Sequence, residues 1–264
     1  MSGATLAAAR EPLPLARVLR AYLQEARFEV LAALRTTGLA LPFLAIPVAI
    51  YLLFGVVISG GAGGGPLGPG IHDYLFVGFA VLAVAMPGVF TGVTVATERE
   101  GNLLKLKRAL PLPPGATIVA KVAMAMVVAG IALTLVVVAA LLAARVTLSP
   151  GQLLIVWAVL FAGTIPFSAI GLLLGTFGSA SAAPAWGNLV FLPMMWLSGL
   201  FIPLPDSLKR WVIIWPTFHL DQLALGLAGV RQFTYVPPEL AAAVLTGVTV
   251  LCGGLAIRRL ARRG

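Results

Sequence analysis

Residues Tyr74–Ala96 read YLFVGFAVLAVAMPGVFTGVTVA, a stretch that contains no charged side chain. A bilayer core about 30 Å thick requires roughly 20 consecutive apolar residues to be crossed by a helix, and this stretch is long enough. Its apolar residues run continuously, whereas the strands of a membrane barrel alternate between apolar and polar positions. The stretch therefore predicts a membrane-spanning helix.

Five further windows have the same character on either side of it. The six windows are Leu39–Ser59, Tyr74–Ala96, Val122–Ala144, Leu153–Phe177, Pro184–Leu204 and Leu240–Ile257. With 60% hydrophobic and only 10% charged residues, the chain cannot cover a soluble globule with a wettable surface. The sequence predicts an all-α integral membrane protein with six transmembrane helices. Residues 1–38 would form a cytosolic N-terminal segment and residues 39–264 the six-span domain.

The distribution of basic residues predicts the orientation, because cytoplasmic loops collect Lys and Arg. With the N-terminus inside, the cytoplasmic side holds 14 of the 18 basic residues: Arg10, Arg17, Arg20, Arg27, Arg35, Arg99, Lys105, Lys107, Arg108, Lys121, Arg258, Arg259, Arg262 and Arg263. The outer side holds Arg145, Lys209, Arg210 and Arg231. Both termini are therefore expected to be cytoplasmic in a multi-pass protein of the cytoplasmic (inner) membrane. The net charge of +9 follows from this topology and from attraction to the anionic inner leaflet, so no nucleic-acid partner is expected.

The segment Leu15–Arg35 has apolar residues at helical spacing, with Arg17, Arg20 and Arg27 towards the opposite side. This pattern predicts an amphipathic helix. Two interpretations stay open: a helix in the inner interface that touches a cytosolic partner, or a simple membrane anchor.

Several classes of chemistry are not expected in this chain. The glycine-rich segment Gly60–Gly70 lacks the lysine and hydroxyl that end a phosphate-binding loop, and we interpret it as a hairpin between spans. The six windows contain no Asp, Glu, Lys, Arg or His, which argues against a proton-coupled transporter and an intramembrane hydrolase. His72 and His219 lack the further ligands of a metal site and are expected to be solvated or interfacial. No catalytic, cofactor-binding or metal-binding residue is predicted.

The fifth window and the residues after it are unusual. Pro193 interrupts the window, where proline removes a backbone hydrogen bond and bends a helix. The following patch Trp211–Trp215 is too short to cross and carries two tryptophans, which prefer the interface. We predict short re-entrant helices before the last span; an ordinary outer loop with an aromatic belt is the alternative.

Two stretches carry distinctive motifs. The first is E-R-E-G-x-L-x-x-L-K-x-x-x-P, carried by Glu98, Arg99, Glu100, Gly101, Leu103, Leu106, Lys107 and Pro111. The second is carried by Pro193, Met194, Trp196, Leu197, Ser198, Gly199, Phe201, Pro203 and Pro205. Together they resemble a known family, the membrane subunit of type-2 ABC exporters. The six-span layout, the N-terminal amphipathic segment and a later Pro216…Asp221 pair are similar too. One departure is Asn102, where many members have Thr.

The resemblance implies that residues 98–111 form a cytosolic coupling helix that docks on a separate ATP-binding cassette ATPase subunit. The implied coupling residues are Glu98, Arg99, Glu100, Gly101, Leu103, Leu106, Lys107, Arg108 and Pro111. Leucines would fill a cleft in the ATPase, and the charged residues, Lys105 among them, would contact its rim. ATP and Mg would be bound by that partner and not by this chain. A second permease copy, or a related permease, would complete the transporter, and the implied direction is export.

A translocation path is expected along the second and fifth spans. The candidate residues are Asn188, Pro193, Met195, Ser198 and Gly199, although Ser198 is also interpreted as a small packing residue. Apolar walls would favour a hydrophobic or amphiphilic cargo. The main alternative function is a non-transporting membrane scaffold or assembly factor that recruits a cytosolic partner through the same loop. A passive channel is disfavoured, because no charged ring or filter motif is present.

Overall fold

A computed structural model describes residues 14–59, 70–109, 112–113, 115–143, 146–202 and 206–263. Within these ranges the regular secondary structure is helical, without a strand. The helices are α1 (Leu15–Arg35), α2 (Thr37–Ile50, continued by a π-helical segment Tyr51–Ile58), α3 (Ile71–Glu100), α4 (Leu103–Ala109), α5 (Ala116–Ala143), α6 (Pro150–Leu174), α7 (Ala183–Trp196), α8 (Asp206–Val212), α9 (Pro216–Leu227) and α10 (Pro238–Arg263). A short 3-10 turn, Arg231–Phe233, precedes α10.

Five helices among the described residues are long and apolar enough to cross a membrane. They are Ala40–Ile58, Ile71–Glu100, Ala116–Ala143, Pro150–Leu174 and Pro238–Arg262, and each contains most of one predicted window. Four of these helices begin or end beyond their windows, and some of them therefore include charged residues that the windows excluded. Asp73 and Glu98 lie in α3, and Lys121 lies in α5.

The predicted span Pro184–Leu204 is not one continuous helix. Helix α7 covers only Ala183–Trp196, which at about 1.5 Å per residue is roughly 21 Å long and shorter than the bilayer core. Gly199 adopts a left-handed conformation, with φ of 74°, and Ser198 donates its hydroxyl to the carbonyl oxygen of Met194. A left-handed glycine commonly follows a helix end, so the local sequence accounts for the early termination.

Helix α3 lies at the centre of the bundle and is buried along most of its length. It crosses α6 where glycines face each other: a Cβ added to Gly92 would lie 2.5 Å from the carbonyl oxygen of Gly171, and one added to Gly175 would lie 2.6 Å from that of Gly92. Both helices carry a G-x-x-x-G pattern here, Gly88–Gly92 and Gly171–Gly175. Small residues at this spacing allow helix backbones to approach closely in membranes.

Helix α1 occupies the range in which the sequence predicts an amphipathic helix. Its packed side includes Tyr22 and Ala33, whereas Leu15, Leu19 and Leu23 are exposed, Leu15 at 75%. The exposed leucines lie at i, i+4 and i+8 and form a separate row. The apolar residues of α1 therefore divide between the bundle and the surface, instead of forming the one stripe that the sequence suggested.

Two predicted features lie largely outside the described residues. The hairpin Gly60–Gly70 is described only at Gly70, and Pro203 and Pro205 of the second motif are not described. The region predicted to hold short helices does contain two, α8 and α9.

Candidate functional site

Helix α4 turns sharply away from the end of α3. The turn consists of Gly101 and Asn102, and Asn102 has a positive φ of 57°. Asparagine adopts the left-handed region more readily than other residues with a Cβ. The Asn at this position therefore allows α4 to begin at Leu103, immediately after the turn.

The two sides of α4 differ in their surroundings. Leu104 packs into a cluster with Val95 and Leu260 beneath the helix. Leu103 and Leu106 point away from the bundle and are 48% and 66% exposed. An exposed pair of leucines beside charged residues is a surface suited to binding a partner.

Lys107, on the inner side of α4, lies in a cluster of five charged side chains. Its ammonium nitrogen is 2.8 Å from Glu25 Oε1, 2.7 Å from Glu29 Oε1 and 3.1 Å from Glu98 Oε1. Lys121 Nζ lies 3.3 Å from Glu29 Oε2 and 3.0 Å from Glu98 Oε1. We call these residues the charge cluster. It joins α1, α3, α4 and α5.

The charge cluster stabilises the ionised forms of Glu29 and Lys107. Burial alone would raise the pKa of Glu29, but Lys121 and Lys107 outweigh it and hold the pKa below its ordinary value. Burial would likewise lower the pKa of Lys107, yet hydrogen bonds to Glu25 and Glu29, together with the charges of Glu29 and Glu98, raise it. Both shifts favour the charged forms of Glu29 and Lys107.

The two residues after Glu98 contact a different element, the loop of residues 175–182 between α6 and α7. Arg99 donates from Nη1 to the carbonyl oxygen of Thr176 at 2.5 Å and from Nη2 to that of Gly178. Glu100 Oε2 accepts from the backbone N–H of Ala180 at 2.6 Å. Three consecutive residues thus connect the end of α3 to α1, α4 and α5 on one side and to the α6–α7 loop on the other.

The remaining predicted coupling residues are distributed around this junction. Gly101 lies in the exposed turn, and Lys105 is exposed on α4. The side chain of Arg108 and all of Pro111 lie outside what the structure describes.

A cavity of about 620 Å³ lies beneath α4. Its walls are mainly apolar and include Leu104 of α4, Leu172 of α6 and Leu260 of α10, and Lys107 and Lys121 also line it. The bundle side of α4 therefore faces open space as well as packed side chains.

The predicted path residues differ in their exposure. Asn188 is exposed on α7, Pro193 is half-buried, and Met195, Ser198 and Gly199 are buried within the chain. The Ser198 hydroxyl also hydrogen-bonds that of Thr217 on α9. The exposed side of α7 bears Leu189, Leu192 and Trp196 beside Asn188.

The two histidines are buried between helices, although the sequence suggested solvated or interfacial positions. His72 is within 3.2 Å of the Ser59 hydroxyl, and His219 Nε2 donates to the carbonyl oxygen of Ile213 at 2.7 Å. Each ring has a partner supplied by the fold, which a pattern in the sequence does not specify.

Sequence reasoning missed three members of the charge cluster as functional candidates: Glu25, Glu29 and Lys121. A signal was present, since Glu25 and Glu29 are four residues apart and hence neighbours on a helix surface. They lie beside the apolar residues of α1, not among its arginines. Lys121 directly precedes a predicted window and therefore looked like a loop residue. In the structure α5 already begins at Ala116, and Lys121 is buried within that helix.

Comparison with family models gives a match to the model described as ABC-2 type transporter, over residues 22–234. The match begins inside α1, ends after α9, and includes the charge cluster and the α6–α7 loop. A search of curated proteins gave no match.

Proposed function

The chain belongs to the ABC-2 type transporter family, and from this premise we propose that it is the permease of an exporter powered by a separate ATPase subunit. The family assigns it to the membrane component of an ABC-type transporter, which is not itself catalytic. The finer proposal is that ATP and Mg bind to the partner, that the partner docks on α4, and that the cargo leaves the cytoplasm.

The observation that carries this proposal is the outward surface of α4. Leu103 and Leu106 are exposed there, on a short helix held between the spanning helices α3 and α5. Burying two exposed leucines in a cleft of a partner would contribute favourable hydrophobic free energy. A helix tethered to two spans can also transmit a rigid-body movement into the membrane.

The proposed topology has six crossings and both termini in the cytoplasm of a cell with an inner membrane. Helix α7 would make the sixth crossing together with the turn that follows it to Ile202, since α7 alone is shorter than the bilayer core. The basic residues at the end of α10, among them Arg258 and Arg262, support a cytoplasmic C-terminus. In this topology α1 is an interfacial helix, and α8 and α9 are re-entrant helices on the outer side.

The proposed path lies between this chain and a second permease, which is another copy or a related chain. Its support is the exposed side of α7, where Asn188 stands among Leu189, Leu192 and Trp196. Asn188 would face the path, and Met195, Ser198 and Gly199 would shape it from behind. The apolar surroundings favour a hydrophobic or amphiphilic cargo.

The test is affinity purification of the tagged chain from its native membrane in mild detergent, followed by mass spectrometry and an ATPase assay. The wild type is compared with the double variant Leu103→Ser, Leu106→Ser. Ile214→Ser serves as a matched control, because Ile214 is 75% exposed but lies in the turn between α8 and α9.

We expect a P-loop ATPase to accompany the wild type and the control and to be lost from the double variant. Recovery of the chain without any ATPase, in all three preparations, would contradict the proposal and favour a non-transporting scaffold. An ATPase that stays bound to the double variant would show that α4 is not the docking surface.

A further inference from the structure

We propose that Glu29 and Lys121 are positioning residues that hold the proposed coupling helix α4 in a fixed orientation relative to α1 and α5. The functional consequence of this inference rests on the proposed function; the structural part does not. Neither residue belongs to the motif through which the family resemblance was found.

The bundle side of α4 is not close-packed. The cavity of about 620 Å³ borders Leu104 and Lys107 of α4, so apolar contacts cover only part of this short helix. Contacts between α4 and α1 are supplied by Lys107, which pairs with Glu25 and Glu29 at 2.8 and 2.7 Å. Charge-assisted hydrogen bonds are short and roughly twice as strong as neutral ones, and these pairs therefore hold α4 close to α1.

Glu29 accepts hydrogen bonds from two different helices. Lys107 of α4 donates to its Oε1 at 2.7 Å, and Lys121 of α5 donates to both Oε1 and Oε2 at 3.3 Å. The carboxylate of α1 thereby bridges α4 and α5. Replacing it with an amide removes the negative charge that both ammonium groups neutralise.

Lys121 acts on α4 through the carboxylates that bind Lys107. Its side chain is only 1% exposed, and its ammonium group lies between the carboxylates of Glu29 and Glu98. Without that charge, the two carboxylates would repel each other while both still bind Lys107. Lys121 therefore holds in place the two acceptors that position Lys107.

It follows that α1, α4 and the cytosolic ends of α3 and α5 move together. A push on α4 would be delivered to three other helices at once. A loosened cluster would let α4 tilt over the cavity. A movement of α4 would then no longer be transmitted to the spanning helices.

The first measurement is the distribution of distances between spin labels on exposed positions of α1 and α4, Gln24 and Ala109. It uses the full chain in lipid nanodiscs, with Cys252, the one native cysteine, replaced by serine. Glu29→Gln and Lys121→Met should each broaden the distribution. The control Glu239→Gln, an exposed acid at the start of α10, should leave it unchanged. An unchanged width in both cluster variants overturns the proposal.

A double variant separates positioning from simple stability. Replacing a buried ion pair by apolar residues of similar size is often neutral for stability, whereas removing one partner is costly. Glu29→Leu with Lys121→Met should therefore regain the thermal stability that the single variants lose, yet keep a broadened distribution. A double variant that regains both the stability and the narrow distribution overturns the positioning role.

The same variants carry a functional readout in the complex with the co-purified ATPase. The double variant should bind the ATPase, but the permease-dependent change in ATP hydrolysis should fall about fivefold, which is the loss expected when the coupling through one ordinary ion pair is removed. The double variant could instead be stable, show a broadened distance distribution and still support wild-type ATP hydrolysis. That result would overturn the claim that the position of α4 matters for coupling. Failure of the proposed function would look different: no ATPase would co-purify, while the distance distributions would still respond.

Discussion

Arg99 Nη1 donates to the carbonyl oxygen of Thr176 at 2.5 Å, and this bond joins the C-terminal end of α3 to the loop between α6 and α7. A second bond from Nη2 reaches Gly178 in the same loop. The arginine of the E-R-E motif is thus engaged within the chain. Its contribution to any partner would be indirect, through the loop that it holds.

Replacing Arg99 by Ala should release this loop. Hydrogen bonds to charged groups contribute about 1.5–3 kcal/mol each when buried, and less here because the site is partly exposed. We expect hydrogen exchange of the amides in residues 175–182 to accelerate about tenfold, the equivalent of ~1.4 kcal/mol. Arg258→Ala, an exposed arginine at the end of α10, should leave exchange in the loop unchanged; equal exchange in the two variants would contradict the assignment.

The glycine contact between α3 and α6 predicts a steric cost for a single methyl group. In Gly92→Ala the new Cβ would lie 2.5 Å from the carbonyl oxygen of Gly171, so the helices must separate. Overpacking of this kind costs about 1–3 kcal/mol, measurable as a lower thermal midpoint in mild detergent. The matched control is Gly247→Ala on α10, where nothing lies within 4 Å of the added atom. Similar midpoints for both variants would show that α3 and α6 can separate without cost.

Because Asn102 has a left-handed conformation, replacing it by Gly and by Val should affect stability differently. Gly populates positive φ freely, so Asn102→Gly should preserve the thermal midpoint. A β-branched residue is strained at a φ of 57°, by about 1–3 kcal/mol. Asn102→Val should therefore lower the midpoint and accelerate hydrogen exchange in α4. A tolerated valine would imply that the turn readily adopts another conformation.

Parts of this architecture could be predicted from the sequence because they depend on local patterns. The apolar run Tyr74–Ala96 predicted α3, and the helical spacing in Leu15–Arg35 predicted the bounds of α1. The end of α7 was not foreseen, because hydropathy continues past Trp196 while the left-handed Gly199 stops the helix. The charge cluster was missed for a different reason: it brings together Glu29, Lys107 and Lys121 from separate helices, and a one-dimensional pattern does not encode their proximity.

Helix α9, which is not one of the spanning helices, contains a buried carboxyl group that predicts a pH dependence of stability. Asp221 is 2% exposed; its Oδ1 has no hydrogen-bond partner among the described residues, and its Oδ2 accepts only a 3.3 Å bond from Gln222. Burial raises the pKa of Asp221 from 3.8 to about 8, and the hydrogen bond from Gln222 offsets only part of that rise.

Because the pKa of Asp221 is raised on folding, the folded protein retains a proton that the unfolded chain releases. The resulting stabilisation is fully present below a pH of about 4 and is lost as the pH rises to about 8, by up to ~1.4 kcal/mol per pH unit. Asp221→Asn, which stays neutral, should flatten this dependence and exceed the wild type in thermal midpoint near the upper end of the range. Glu239→Gln removes an exposed acid and should keep the wild-type slope. If the Asp221→Asn and wild-type midpoints fell in parallel with rising pH, Asp221 would already be ionised in the folded protein, and α9 would have to supply it with a further donor.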